Sequence, residues 1–183
     1  MPVDIDLTYH GDPAGIAAVA RTIEERSSHS ALYVPEGAHD AFVYMALAAD
    51  GTERIRLGTS IALAFARSPM AMAYPAYDLQ RLSGGRFVLG LGSQIKPHIE
   101  RRFSMPWSRP AARMREYVAA LRAIWHTWQT GEKLDFQGDF YTHTLMPPLF
   151  NPGPLATPAP EIWLAGVGPR MIEAAGAVAD GFM

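Results

Sequence analysis

Apolar residues along the chain follow two alternating spacings, one typical of buried strands and one typical of helices that cover a core. The clearest strand-like run is Phe87–Gly92, in which every residue is apolar or glycine. Such a run predicts a strand covered on both faces, as in a parallel sheet. The strongest helical pattern begins at Ser108 and Pro110, ends at Gly131, and carries one wide apolar stripe. The stripe consists of Met114, Tyr117, Val118, Leu121, Ile124, Trp125 and Trp128.

Taken in order, the elements repeat as strand and helix. The predicted strands are Val3–Tyr9, Ala31–Val34, Ile55–Phe65, Phe87–Gly92 and Ile162–Ala165, with a sixth opening at Asp180–Met183. Helix starts are marked at Asp12–Pro13 and Ser68–Pro69, where a capping side chain precedes a proline. Such repeats predict a parallel sheet with helical crossovers, which is either a doubly wound sheet or a (β/α)8 barrel. A complete barrel needs eight units and about 250 residues, so five units and a sixth strand would form an incomplete one.

One stretch, 132–160, interrupts this alternation. It predicts a hairpin over 133–142, followed by a proline-rich run from 147 to 160. Because the strand pattern resumes at Ile162, we interpret the stretch as an ordered excursion within a single domain over 1–183.

The composition narrows the classes of function. The chain of 183 residues is 49% hydrophobic and 19% charged, with a net charge of −2 and no cysteine. The near-neutral charge argues against nucleic acid or a membrane surface as a partner. The lack of cysteine excludes disulfides, thiolate metal sites and cysteine nucleophiles. The six histidines show no metal-binding spacing, so no metal site is predicted. No signal peptide or membrane span is apparent, and we expect a cytoplasmic protein.

Polar and small residues follow the predicted strands at the ends where the active sites of parallel barrels lie. The loop after Ala31–Val34 runs from Glu36 to Asp40, and the loop after Phe87–Gly92 runs to His98. We expect a cleft there with hydrogen-bonding groups and room for a flat small-molecule ligand. Structural roles explain some of these residues equally well, since His39–Asp40 is also suited to cap the next helix.

Several motifs together resemble the family of luciferase-like monooxygenases and F420-dependent oxidoreductases. The most specific is Leu82-Ser-Gly-Gly-Arg-Phe followed by Leu89-Gly-Leu-Gly. Supporting motifs are Gly58-Thr-Ser-Ile, Ala38-His-Asp and Ile162-Trp-Leu-Ala-Gly. They occur in the family's order and extend over essentially the whole chain. The resemblance implies an α/β fold, a TIM (β/α)8 barrel of the bacterial luciferase-like type, incomplete in this chain.

The resemblance also implies a cofactor and a set of site residues. The expected cofactor is the deazaflavin F420, with FMN as the alternative. His39 and Glu36 are the catalytic candidates, because the loop after the second strand places a polar group near the reactive ring carbon. A non-prolyl cis peptide at Ser60–Ile61 is implied behind the flat ring. The cofactor-binding candidates are Ser60, Ile61, Ala62, Gly92, Ser93, Gln94 and His98.

Alternative functions remain open. Relatives acting on sugar phosphates place a catalytic acid where this chain has Ile95, which disfavours that substrate class. The first prediction is hydride transfer between F420 and a small organic substrate, and the second is an FMN-dependent monooxygenase. A non-catalytic relative that serves as a binding or structural module, or an open α/β binding domain unrelated to flavins, is also compatible. We expect a homo-oligomer.

Overall fold

The computed structural model describes residues 5–26 and 29–183. The strands are β1 (Ile5–Thr8), β2 (His29–Val34), β3 (Arg56–Thr59), β4 (Ala62–Leu63), β5 (Phe87–Gly92), β6 (Phe136–Gln137), β7 (Thr142–His143), β8 (Glu161–Leu164) and β9 (Gly181–Phe182). The helices are α1 (Ile16–Glu25), α2 (Ala41–Asp50), α3 (Pro69–Leu82), α4 (Pro110–Thr130) and α5 (Pro169–Val178). Val3 and Asp4, which the sequence assigned to the first strand, lie outside the described residues.

The order of the strands distinguishes a barrel from a doubly wound sheet. The main sheet runs β1-β2-β3-β5-β8-β9, and β4 pairs with β5 beside β3. All of these pairs are parallel. A doubly wound sheet reverses its strand order at a switch point, whereas this sheet adds each new strand on the same side. The prediction of an incomplete barrel of the luciferase-like type is confirmed as a mostly parallel half-barrel with helices.

Two layers of apolar side chains lie on opposite faces of this sheet. Leu32 and Val34 of β2 belong to the large core between the sheet and the helices. Ala31 and Tyr33 alternate with them and instead join Val88 and the partly buried Trp163 in a small second cluster. Because successive strand residues point to opposite faces, this second cluster marks the concave inner face of the half-barrel.

The long helix α4 supplies the largest apolar surface of the helical layer. All seven residues of the predicted stripe are at most 2% exposed, so that prediction is confirmed. The predicted end is also confirmed, since Gly131 closes the helix in the left-handed conformation at φ 76°. The predicted start is confirmed as well, since the helix begins at Pro110. Arg109, with a left-handed φ of 35°, precedes the helix and makes no capping hydrogen bond with its side chain.

The predicted strand Ile55–Phe65 is not one strand. It divides into β3, β4 and a 3-10 turn over Ala64–Ala66. From Gly58 to Ala62 the chain advances four residues, whereas the paired strand advances three, from Val88 to Leu91. One extra residue therefore bulges out of the ladder. The bulge contains a cis peptide bond between Ser60 and Ile61, as the resemblance implied.

The excursion between α4 and β8 is tied to the rest of the chain by side chains of α4. β6 and β7 pair antiparallel through two residues each, a shorter hairpin than the sequence suggested. The Glu116 carboxylate accepts hydrogen bonds from the backbone N–H groups of residues 139–141 at 2.7–2.9 Å. Buried Arg113 donates to the Tyr141 hydroxyl at 2.7 Å. These contacts hold the hairpin beside the barrel helices.

Among the described residues, no helix combines the length and the apolar character that crossing a bilayer requires.

The half-barrel leaves β1 and β9 as the outer strands of the sheet. Exposed strand edges pair readily with other chains, so we expect residues 1–183 alone to form dimers or larger species in light scattering. Phe182 on β9 is 52% exposed, and Phe182→Lys is expected to reduce this association. Val167→Lys is the matched control, because Val167 is 99% exposed and lies outside the strands. A monodisperse monomer of the unsubstituted chain would contradict the prediction.

Candidate active site

The carboxyl ends of β2, β3 and β5 bring three backbone segments together. The Ser60 N–H donates to the Val34 carbonyl at 2.9 Å, and the Glu36 N–H donates to the Ile61 carbonyl at 3.1 Å. On the other side, β4 pairs with the end of β5 through Leu63 and Gly92. The bulge at Ser60–Ile61 is thus enclosed between the loop after β2 and the loop after β5, at the edge of the sheet where barrel active sites lie.

A close approach at Gly92 shapes the surface of this bulge. A Cβ atom at Gly92 would lie 2.0 Å from Cδ1 of Ile61, so the Ile61 side chain lies directly on the glycine backbone. Gly92 and Ala62 are buried, whereas Ser60 and Ile61 are partly exposed. The result is a partly open surface formed by peptide backbone and one aliphatic side chain, which suits one face of a flat ring.

The loop after β5 adds polar groups beside this surface. Ser93 and Gln94 are partly exposed. Gln94 has a left-handed φ of 58°, and its side-chain oxygen accepts from the Ile95 N–H at 3.0 Å. The Ser93 hydroxyl donates to the Gln94 carbonyl at 3.1 Å. His98 is exposed and begins the short π-helical turn His98–Arg102.

Glu36 is committed to contacts within the protein. Its side chain is 8% exposed and forms an ion pair with Arg67 at 2.7 Å. Both carboxylate oxygens accept from the same guanidinium nitrogen, at 2.8 and 2.7 Å. One of them also accepts from the backbone N–H of Leu63 at 2.9 Å. The carboxylate therefore links the loop after β2 to the residues just beyond the bulge.

Arg67 carries a second ion pair that sequence reasoning missed. Its other terminal nitrogen lies 2.7 Å from Asp40, whose second oxygen caps α2 by accepting from the Phe42 N–H at 2.8 Å. Burial by itself lowers the pKa of the Arg67 guanidinium, but the bonds and charges of Glu36 and Asp40 outweigh it and raise that pKa. The arginine is therefore a fixed positive charge. No local spacing could have revealed it, because its partners lie 31 and 27 residues away.

In the sequence, His39 lies between Glu36 and Asp40, the two acidic residues that Arg67 binds. It is exposed, and its ring stands edge-on to Tyr44 with ring centroids 6.0 Å apart. The Tyr44 hydroxyl donates to the Gly11 carbonyl at 2.6 Å, which fixes the ring that His39 contacts. Arg102 reaches across from the loop after β5 and donates to the Gly37 carbonyl at 2.8 Å.

The predicted residues thus lie in one region and differ in exposure. His39, Ser60, Ile61, Ser93, Gln94 and His98 have exposed or partly exposed positions on the loops at this edge of the sheet, while Ala62 and Gly92 are buried behind it. Glu36 lies in the same region with its carboxylate bound to Arg67. This architecture is that of the (β/α) barrel proteins, a class in which active sites lie at the carboxyl ends of the strands.

Comparison with known proteins identifies the family. The sequence model of the luciferase-like monooxygenases matches residues 2–183, and the chain belongs to that family of oxidoreductases. An uncharacterized protein of Mycobacterium tuberculosis (strain ATCC 25618 / H37Rv) is 54% identical over 91% of this chain and 49% of its own length. A phthiodiolone/phenolphthiodiolone dimycocerosates ketoreductase of Mycobacterium sp. (strain JLS) is 36% identical over 70% of this chain and 33% of its own length. The chain spans half or less of these curated relatives.

Solved structures resemble the chain in fold. An F420-dependent secondary alcohol dehydrogenase in complex with an F420-acetone adduct superimposes with a TM-score of 0.84 at 19% identity, covering 100% of this chain and 58% of that one. The FMN complex of a type II Baeyer-Villiger monooxygenase of Pseudomonas putida gives a TM-score of 0.72 at 18% identity, covering 91% and 52%. Both superpositions extend over little more than half of the larger proteins, as expected for a half-barrel.

Proposed function

We propose that this chain supplies the part of an F420-dependent oxidoreductase that holds the ring of the cofactor. The enzyme transfers a hydride between the deazaflavin and a ketone or secondary alcohol. The observation that carries the proposal is the Ser60–Ile61 bulge. Its Ile61 side chain lies on Gly92, and its Ile61 carbonyl accepts from the Glu36 N–H of the loop that carries the exposed His39. The name of the mycobacterial ketoreductase supports carbonyl reduction. The name of the structurally similar alcohol dehydrogenase supports F420.

The residues present fit the ring of such a cofactor. The surface of Ser60 and Ile61 is partly open, and Gly92 carries no side chain that would fill the space behind Ile61. The ring carries carbonyl and N–H groups along one edge. The hydroxyls of Ser60 and Ser93 and the amide of Gln94 are the side chains that would bind that edge. When bound, the deazaflavin supplies a two-electron carrier that gives or accepts hydride.

His39 is the proposed proton carrier. Reduction of a ketone leaves a negative oxygen that must take a proton, and an imidazole can donate one near neutral pH. His39 is exposed on the loop beside the bulge, so a substrate could reach its imidazole. Glu36, which the sequence also suggested as catalytic, is proposed to act through its contacts with Arg67.

An FMN-dependent monooxygenase is the second candidate, supported by the fold similarity to the FMN complex of a Baeyer-Villiger monooxygenase. The same ring surface would serve either cofactor, while the reaction would change from hydride transfer to oxygen activation. Under both candidates we propose a cytoplasmic homo-oligomer that acts on small molecules.

The test is a fluorescence titration with F420 and with FMN. The sample is the protein extended to the length of its curated relatives, and the 183-residue chain is titrated in parallel. Saturable binding of F420 but not FMN by the extended protein is the expected result. Preference for FMN would favour the monooxygenase, and binding of neither would overturn the proposal in favour of a non-catalytic relative.

A further inference from the structure

Arg67 joins two acidic residues that stand at the two ends of one short loop. One terminal nitrogen binds Glu36 at 2.7 Å and the other binds Asp40 at 2.7 Å. The loop between them, 36–40, contains His39. The arginine side chain is 21% exposed and that of Glu36 is 8% exposed, so at least this pair is shielded from competing water.

Each of the two carboxylates also holds a different element of the site. Glu36 accepts from the Leu63 N–H at 2.9 Å, two residues after Ile61. Asp40 accepts from the Phe42 N–H at 2.8 Å, at the start of α2. Arg67 itself follows the 3-10 turn Ala64–Ala66. The ion pairs therefore connect the bulge, the loop of His39 and the first turn of α2.

We propose that Arg67 is a positioning residue, which fixes the His39 loop relative to the Ser60–Ile61 surface. The inference rests on the proposed function, since it assigns His39 and the bulge to one reaction. Arg67 then sets the position of the proposed proton carrier relative to the ring surface through Glu36 and Asp40. A misplacement of about 1 Å in such a site costs about a hundredfold in rate.

The chemistry of arginine explains why this position would not accept a lysine. A guanidinium offers several N–H donors in a rigid plane, so it can bind two carboxylates at fixed angles. A lysine ammonium keeps the charge but concentrates it at one point. Arg67→Lys therefore tests geometry while it preserves charge. Asp40→Asn removes only the second ion pair, because asparagine still caps a helix.

The experiment compares Arg67→Lys and Asp40→Asn with Arg122→Lys. Arg122 is the matched control. It forms an ion pair with Asp180 that is 3.0 Å long, and this pair does not involve the bulge. The first readout is the set of histidine ring resonances after selective nitrogen-15 labelling. The second is ketone reduction by the extended protein with reduced F420, separated into kcat and KM, together with F420 affinity by fluorescence.

We expect Arg67→Lys to shift the ring signals of His39 and leave those of His126 unchanged. It should lower kcat about 10- to 100-fold while the Kd for F420 changes less than about threefold. Asp40→Asn should act in the same direction with a smaller effect. Arg122→Lys should change neither the His39 ring signals nor kcat. Unchanged His39 signals in both variants would overturn the positioning role, even if the unsubstituted protein bound no F420. Shifted signals with no F420 binding would support the positioning role and reject only the proposed function.

Discussion

Replacement of Gly90 by alanine is expected to destabilise the fold by about 3 kcal/mol or more. A Cβ atom at this position would lie 1.8 Å from the Thr59 carbonyl oxygen and 2.8 Å from the Met183 side chain. The first of these neighbours is backbone and cannot turn aside. The Thr59 hydroxyl also donates to the Gly90 carbonyl at 2.7 Å. An added methyl group must therefore separate β3 from β5 at the point where the bulge begins.

Gly176→Ala is the matched control for this substitution. Gly176 lies inside α5, and a Cβ atom there meets nothing within 4 Å. Alanine has the higher helix propensity, so this variant should gain up to about 1 kcal/mol. Urea unfolding followed by circular dichroism measures both changes. If Gly90→Ala unfolded at the same midpoint as the unsubstituted chain, the close approach of the two strands would be disproved.

Most elements of the fold could be predicted from the sequence because their signals are local. The apolar stripe of α4 repeats at helical spacing, and all of its members are buried. The Ser68–Pro69 pair caps α3 as expected, with the Ser68 hydroxyl accepting from the Ala71 N–H at 3.1 Å. Gly84 and Gly85 end that helix with φ of 64° and 94°. Each of these features depends only on residues within a few positions of one another.

The break between β3 and β4 could not be predicted from local pattern. Residues 55–65 are mostly apolar or strand-forming, so periodicity favours one continuous strand. The interruption is a one-residue mismatch in the pairing with β5, about thirty residues further along the chain. Only the family resemblance pointed to Ser60–Ile61 as an irregular position.

The candidate site was predictable as a location but not as a set of contacts. Strand ends in a parallel sheet share one edge, so the loops that carry His39, Ser60 and Ser93 could be grouped from the sequence. The ion pair of Glu36 could not be predicted, because its partner Arg67 lies 31 residues away in a loop with no distinguishing spacing. Pairing between distant charged side chains depends on the three-dimensional path of both loops, which no helical or strand periodicity encodes.

His39→Ala is expected to lower kcat for ketone reduction about 10²- to 10⁴-fold, the range that a positioned proton donor contributes. His39 is exposed on the loop beside the Ser60–Ile61 surface, so its removal takes away the proposed proton source and leaves the ring surface in place. The Kd for F420 should therefore change little. Stopped-flow oxidation of reduced F420 by a ketone, in the extended protein, measures the step directly.

His126→Ala is the control for loss of an imidazole. His126 is exposed on α4 and pairs with Glu132 at 3.0 Å. It lines the same pocket as Glu161, which is the first residue of β8. His126 is therefore at the edge of the sheet opposite to the candidate site. Its removal should leave kcat unchanged. A His39→Ala variant with full turnover would show that the proton comes from another group or from water. A large loss of F420 affinity at constant kcat would instead make His39 a binding residue. Only the combined pattern, with turnover lost and affinity retained, supports proton transfer at this loop.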